Sequence, residues 1–159
     1  MKKNNKGFSL VELIVVVLIM AIIATALTLA VTKYVAKSKR SSDANTAGEL
    51  KTAAETTVTD YLTSVDAINV ADGKVGTITL SANGGDAWTE PTVSDTTIQK
   101  DKFLEIFTQA AGKNAPQSKV HPDDGFVVTI KVLPNESATY EVNYIKTANS
   151  TDIFAAATK

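Results

Sequence analysis

The sequence predicts an α+β chain: a long N-terminal α-helix, transmembrane in its first half, packed on a small antiparallel β-sheet, with a second short helix. Three observations predict it. Residues 8–31 are almost wholly apolar, with Glu12 as their only charge. Beyond them, Ala44, Ala47, Leu50, Ala54, Val58, Tyr61 and Val65 recur at spacings of three and four, and no proline interrupts them. That is a helical stripe. Near the end, Phe126, Val128, Ile130 and Val132 alternate with their neighbours, Pro134-Asn135-Glu136-Ser137 turns the chain, and Tyr140, Val142 and Tyr144 alternate again. That is a β-hairpin.

Composition narrows the function. The 159 residues carry 44% hydrophobic side chains and a net charge of −1, which fits one domain with an appendage and gives no basic footprint for nucleic acid. With no cysteine, disulfides, cysteine zinc sites and thiol catalysis are excluded. A single histidine excludes multi-histidine metal sites. The mean hydropathy of +0.03 averages two unlike pieces. The uncharged run 13–32 has 20 residues, roughly 30 Å at about 1.5 Å per residue, enough to cross a bilayer. It is longer than the ~7–15 residues of a cleaved secretory signal. A plain anchor gives no reason for Glu12. Basic residues flank the run on both sides, Lys2, Lys3 and Lys6 before it and Lys33, Lys37, Lys39 and Arg40 after it, so charge bias does not set its orientation.

Lys6-Gly7-Phe8-Ser9-Leu10-Val11-Glu12-Leu13 resembles the processing motif of type IV prepilins and their pseudopilin relatives. The likeness lies in a short basic leader, a glycine, an aromatic residue after it, a glutamate four residues later and an apolar helix that follows at once. Beyond residue 35 or so the resemblance is one of architecture, the pilin fold. It implies three parts: a leader, 1–7; a transmembrane and filament-core helix, 8–35; and a globular head, 36–159. It implies that prepilin peptidase cuts between Gly7 and Phe8 on the cytoplasmic side and that Phe8 is then N-methylated. Glu12 of an incoming subunit would pair with the amine of Phe8 on its neighbour and set the register. Leu10, Leu13, Val16, Val17, Met20 and Ile23 would pack in the filament core.

The implied partners are other copies of the chain in a helical homopolymer, prepilin peptidase, the membrane before assembly, and an inner-membrane assembly machinery with a separate ATPase. No cofactor, metal or catalytic residue is expected, and the chain is not read as an enzyme. The precursor would be a single-pass membrane protein with a cytoplasmic leader, and the product an extracellular filament. The leading reading is a major pilin of a type IV pilus, serving adhesion, motility, aggregation or DNA uptake. The alternatives are a minor pilin or a pseudopilin of a type II secretion or competence system, and, in another class, a membrane-tethered extracellular binding domain that does not polymerise.

Glu12 has its own physics. A carboxylate such as Asp costs about 2.5–3.5 kcal/mol at the centre of a membrane helix and less near its edge. The helix dipole softens that cost near the N-terminus, and a neighbour's amine removes it. The plain alternative is a glutamate reaching for the headgroups. Many relatives carry Gly and Pro further along the apolar helix; residues 21–30 have neither. Thr25 and Thr28 would instead bond to carbonyls four residues earlier and bend the helix slightly. The C-terminal loop, often closed by a disulfide in the family, must here be held by packing and strand pairing.

The remaining elements follow in order. The long helix runs from about Phe8 to Val65, roughly 85 Å, with Gly48 as its one weak point and its first half clear of the globular part. Lys33, Lys37, Lys39 and Arg40 would meet anionic headgroups, or acidic residues of a neighbouring subunit after assembly. Ala71-Asp72-Gly73 and Asn83-Gly84-Gly85-Asp86 are turns, with a strand over 75–80 between them. Trp88 anchors this region to the core. A second helix spans roughly residues 97–111, buries Phe103, Leu104, Ile106 and Phe107, and ends at Gly112. Ile153 and Phe154 suggest a last short strand. His121, Asp123, Asp124 and Gly125 read as a strand-entry turn, with a calcium site as the weaker alternative, because their spacing does not match a helix-loop-helix calcium loop. Asn135-Glu136-Ser137 and Asn149-Ser150-Thr151 match the glycosylation pattern, a weak signal.

Overall fold

Residues 10–64 form one continuous helix, α1 (Leu10–Ser64), in the computed structural model, which describes residues 8–64, 68–122, 124–134 and 137–144. No proline falls within α1, so no backbone donor is missing from its ladder. Its threonines are poor helix formers, yet the hydroxyls of Thr52, Thr56, Thr57, Thr59 and Thr63 each donate to the carbonyl four residues back. That satisfies each hydroxyl within the helix.

The chain divides into two units, Met1–Ser38 and Lys39–Lys159. In the second, β2 (Gly76–Ala82), β3 (Thr92–Ser94), β5 (Phe126–Val132) and β6 (Ala138–Tyr144) form an antiparallel sheet in the order β3-β2-β5-β6. The register aligns Leu80, Val128 and Val142 in one row and Ala82, Phe126 and Tyr144 in the next. All six side chains are buried. The period of two read from the sequence is therefore the inner face of the sheet. Ala47, Leu50, Ala54, Val58 and Tyr61 of α1 belong to the same buried cluster, with Ala44 at its margin. Val65, Ile145 and the suggested strand at Ile153 and Phe154 lie outside the described residues.

The second helix, α2 (Lys100–Ala111), starts three residues later than the sequence predicts. Thr96–Thr97 form β4 instead and pair with β1 (Asn69–Val70). Asp95 turns the chain with a φ of 52°, a left-handed conformation that Asp tolerates better than most residues. Threonine favours an extended ladder over a helix, and here a partner strand is available. The helix can begin only where its first donors are met, and the N–H of the N-cap residue Gln99 donates to the Tyr61 hydroxyl at 2.8 Å. Phe103, Ile106 and Phe107 are buried and Leu104 is partly buried. Full burial of each phenylalanine contributes roughly 1.5–3 kcal/mol. Gly112 ends the helix with a φ of 90°, where a side chain would be strained.

Gly125 is required by close approach. A Cβ there would overlap the Ala82 carbonyl oxygen and lie 2.6 Å from the Asn83 Cα. Both are backbone atoms that a side-chain rotation cannot move. Gly125→Ala is expected to destabilise the second unit by about 3 kcal/mol. A guanidinium titration of the full chain in detergent, followed by the fluorescence of its sole Trp, checks this; a loss within about 0.5 kcal/mol contradicts it.

Candidate functional site

The last residues of the processing motif, from Leu10 to Leu13, form the first turn of α1. Gly7 lies outside the described residues. Phe8 is 89% exposed. Ser9 precedes the helix, and Glu12 sits in its first turn, where Oε2 accepts the Ser9 N–H at 2.9 Å. Ser9-Leu10-Val11-Glu12 therefore has the Ser-x-x-Glu spacing of a capping box, with the glutamate arm formed. Glu12 satisfies a donor left over at the helix start and complements the helix dipole. The spacing is legible in the sequence, although the resemblance directs attention to a partner subunit instead.

The apolar segment shows no preferred face. Leu10, Leu13, Val16, Val17, Met20 and Ile23 are all exposed, and so are Val11, Ile14, Val15, Leu18, Ile19 and Ile22 between them. A helix apolar all round suits lipid or a bundle of other helices. Among the described residues, α1 is the one helix long and apolar enough to cross a membrane. Thr28 donates to the Ala24 carbonyl four residues back, as its position predicts. Thr25 instead donates to Ile22, three residues back, at 2.8 Å, because a threonine in a helix has two rotamers that reach one carbonyl or the other. Lys33, Lys37, Lys39 and Arg40 are exposed.

A second constellation gathers residues that lie far apart in the sequence. Asp43 of α1 is 1% exposed. Its carboxylate accepts the Ser118 hydroxyl at 2.6 Å, the Lys119 N–H at 2.7 Å, the Val120 N–H at 3.2 Å and the Tyr144 hydroxyl at 2.8 Å. Burial alone would push this carboxyl up; the bonds from Ser118, Lys119, Tyr144 and Val120 outweigh it and hold the group below its ordinary 3.8. Burial first, and then the Asp43 carboxylate, push the Tyr144 phenol well up. The region expected to close by packing and strand pairing is thus also tied to α1 through one buried acid. The signal was present: one step of four back from Ala47 along the apolar stripe lands on Asp43.

The other candidates resolve plainly. The Asp124 N–H donates to the His121 carbonyl at 2.9 Å, and Asp124 Oδ1 accepts the Gly125 N–H at 3.0 Å, which makes a turn into β5. Asp123 lies outside the described residues. The His121 ring meets Tyr144 edge-on at 4.9 Å. No group of three or more His, Cys, Asp or Glu able to hold a metal occurs among the described residues. Trp88 is buried and packs edge-on against Phe107 at 5.0 Å, the anchoring role the sequence suggests.

Comparison with known proteins agrees with the geometry at the N-terminus. The family model described as the prokaryotic N-terminal methylation motif matches residues 2–28. No curated protein and no solved structure matches the chain. The motif implies processing by prepilin peptidase and points to a structural protein. The match, the helix apolar on every face and the α+β head agree: this chain carries the type IV prepilin-like signal.

Proposed function

We propose that this chain is a major pilin, the structural subunit of a type IV pilus, cut between Gly7 and Phe8 and polymerised through its N-terminal helix. The observation that carries the reading is the methylation motif at residues 2–28 opening a helix that is apolar on all faces. Such a helix is stable in a bilayer before assembly and in a bundle of its own kind afterwards, because both surround it with apolar groups. Leu10, Leu13, Val16, Val17, Met20 and Ile23 contribute packing in that bundle. Glu12 then has two partners in turn: the Ser9 N–H of its own chain and the methylated amine of Phe8 on a neighbour. The precursor is a membrane protein with a cytoplasmic leader, and the product is an extracellular filament drawn out by assembly machinery with a separate ATPase.

Mass spectrometry of a sheared surface fraction tests this. The expected N-terminal peptide begins at Phe8 and carries one methyl group on its amine. An intact Gly7-Phe8 bond in filaments overturns the reading. The same fraction decides the finer assignment, since a major pilin dominates it and a minor pilin or pseudopilin is a trace component.

A further inference from the structure

The second unit holds a pocket of about 180 Å³ between α1 and the C-terminal end of α2, lined among others by Thr46, Glu49, Ala110, Ala111 and Asn114. Its polar rim is rich in acceptors. Glu49 is exposed and makes no ion pair among the described residues. The last carbonyls of α2 have no helical donors, and no basic residue in the last turn complements the negative end of its dipole. Asn114 commits one of its two amide N–H groups to the Gly85 carbonyl at 2.8 Å, and the Thr46 hydroxyl donates to the Ser42 carbonyl at 3.1 Å. A rim of this kind is complementary to a cationic side chain with several donors.

The chain carries one on the same helix. Arg40 is exposed and has no ion pair among the described residues. Its guanidinium fork fits a carboxylate and nearby carbonyls better than a lysine does. It cannot serve the pocket of its own copy. Arg40 and Glu49 are nine positions apart, which is about 14 Å along the helix, and at about 100° per residue they stand on opposite faces. A cation on one face and its acceptor pocket on the other form a heterologous pair, the kind of contact that generates open helical filaments.

We propose that the Glu49 pocket receives Arg40 of a second copy, as a head-to-tail contact between subunits staggered by about 14 Å along α1. This inference rests on the pilin reading, because it needs the copies to polymerise in parallel.

The absence of cysteine gives a clean test. A double variant, Glu49→Cys with Arg40→Cys, is assembled into filaments, oxidised and run without reductant. A disulfide needs Cα atoms within about 7 Å, so two cysteines nine positions apart on one helix cannot bridge within a copy. The expected result is a ladder of covalent multimers, against dimers at most for either single variant. In parallel, Glu49→Arg lowers filament yield at least tenfold, with Phe8 methylation and Trp88-reported stability unchanged, and adding Arg40→Glu restores it. Normal filaments without a ladder overturn the contact and leave the pilin reading standing. Lys113 follows the C-terminal end of α2 by two residues, and rescue of Glu49→Arg by Lys113→Glu but not by Arg40→Glu overturns the proposal too, since it places the same copy's Lys113 in the pocket. Wild-type chain that yields no methylated filaments overturns both.

Discussion

Asp43→Ala is expected to destabilise the second unit by about 4 kcal/mol. Four donors converge on this carboxylate, at 2.6–3.2 Å. Truncation leaves the Ser118 and Tyr144 hydroxyls and two backbone N–H groups in a site that excluded water, at about 1–3 kcal/mol for each one left dry. Asp43→Asn keeps the size but offers one acceptor oxygen and turns an amide donor toward other donors, so it falls between wild type and Ala. Guanidinium titration in detergent, read from Trp88, measures both. A loss below about 1 kcal/mol for Ala shows that the contacts relax and that the acid is not a tie.

The same group sets a pH window. The Asp43 carboxyl is held below its ordinary value in the folded chain. Its stabilisation is therefore complete above the unfolded value of about 3.9 and is lost as pH falls through the lower folded value. Tyr144 has the opposite sign, because its phenol is raised. That contribution is complete below about pH 10 and is lost as pH rises through the higher folded value. Wild type should weaken at the acid end, and Asp43→Asn should lose that part of the slope.

Glu12→Ala is expected to leave cleavage and methylation at Phe8 intact and to cut filament yield at least tenfold, the equivalent of about 1.4 kcal/mol. The geometry supplies a sharper control. Glu12 already accepts the Ser9 N–H, and Gln can fill that arm of a capping box as well as Glu. Glu12→Gln thus keeps the cap and removes the charge. If the carboxylate pairs with a neighbour's amine, Gln assembles as poorly as Ala. If Gln assembles like wild type, Glu12 is a helix cap and the registration role is wrong. Quantifying sheared filaments from the two variants separates these outcomes.

Much of this fold is legible in the sequence because it follows local rules. The run of residues 13–32 is apolar in every direction, so it needs no partner to identify it. The stripe from Ala44 to Tyr61 and the alternation from Phe126 to Val132 have the periods of a helix face and a strand face. Gly125 and Pro134 bracket the strand. The start of α2 is not legible in this way. Thr96 and Thr97 fit a helix start or a strand, and Asn69 and Val70, distant in sequence, decide for the strand.

The candidate sites divide along the same line. The proposed cleavage between Gly7 and Phe8 and the placing of Glu12 rest on contiguous residues, which a family resemblance can read without a fold. Asp43 in sequence is one polar residue in a polar stretch. Its meaning comes from Ser118, Lys119, Val120 and Tyr144, brought to it by the packing of α1 against the 118–120 loop and β6. The acceptor rim around Glu49 likewise exists only where α2 ends beside α1. The sequence by itself determined the membrane-length helix, the processing motif, the strand faces and the absence of disulfides, because each depends on near neighbours or on composition. Only the tertiary structure decided where a buried charge is stabilised and which residues line the pocket beside Glu49. Those depend on which distant donors and acceptors packing brings within 3 Å or so of each other.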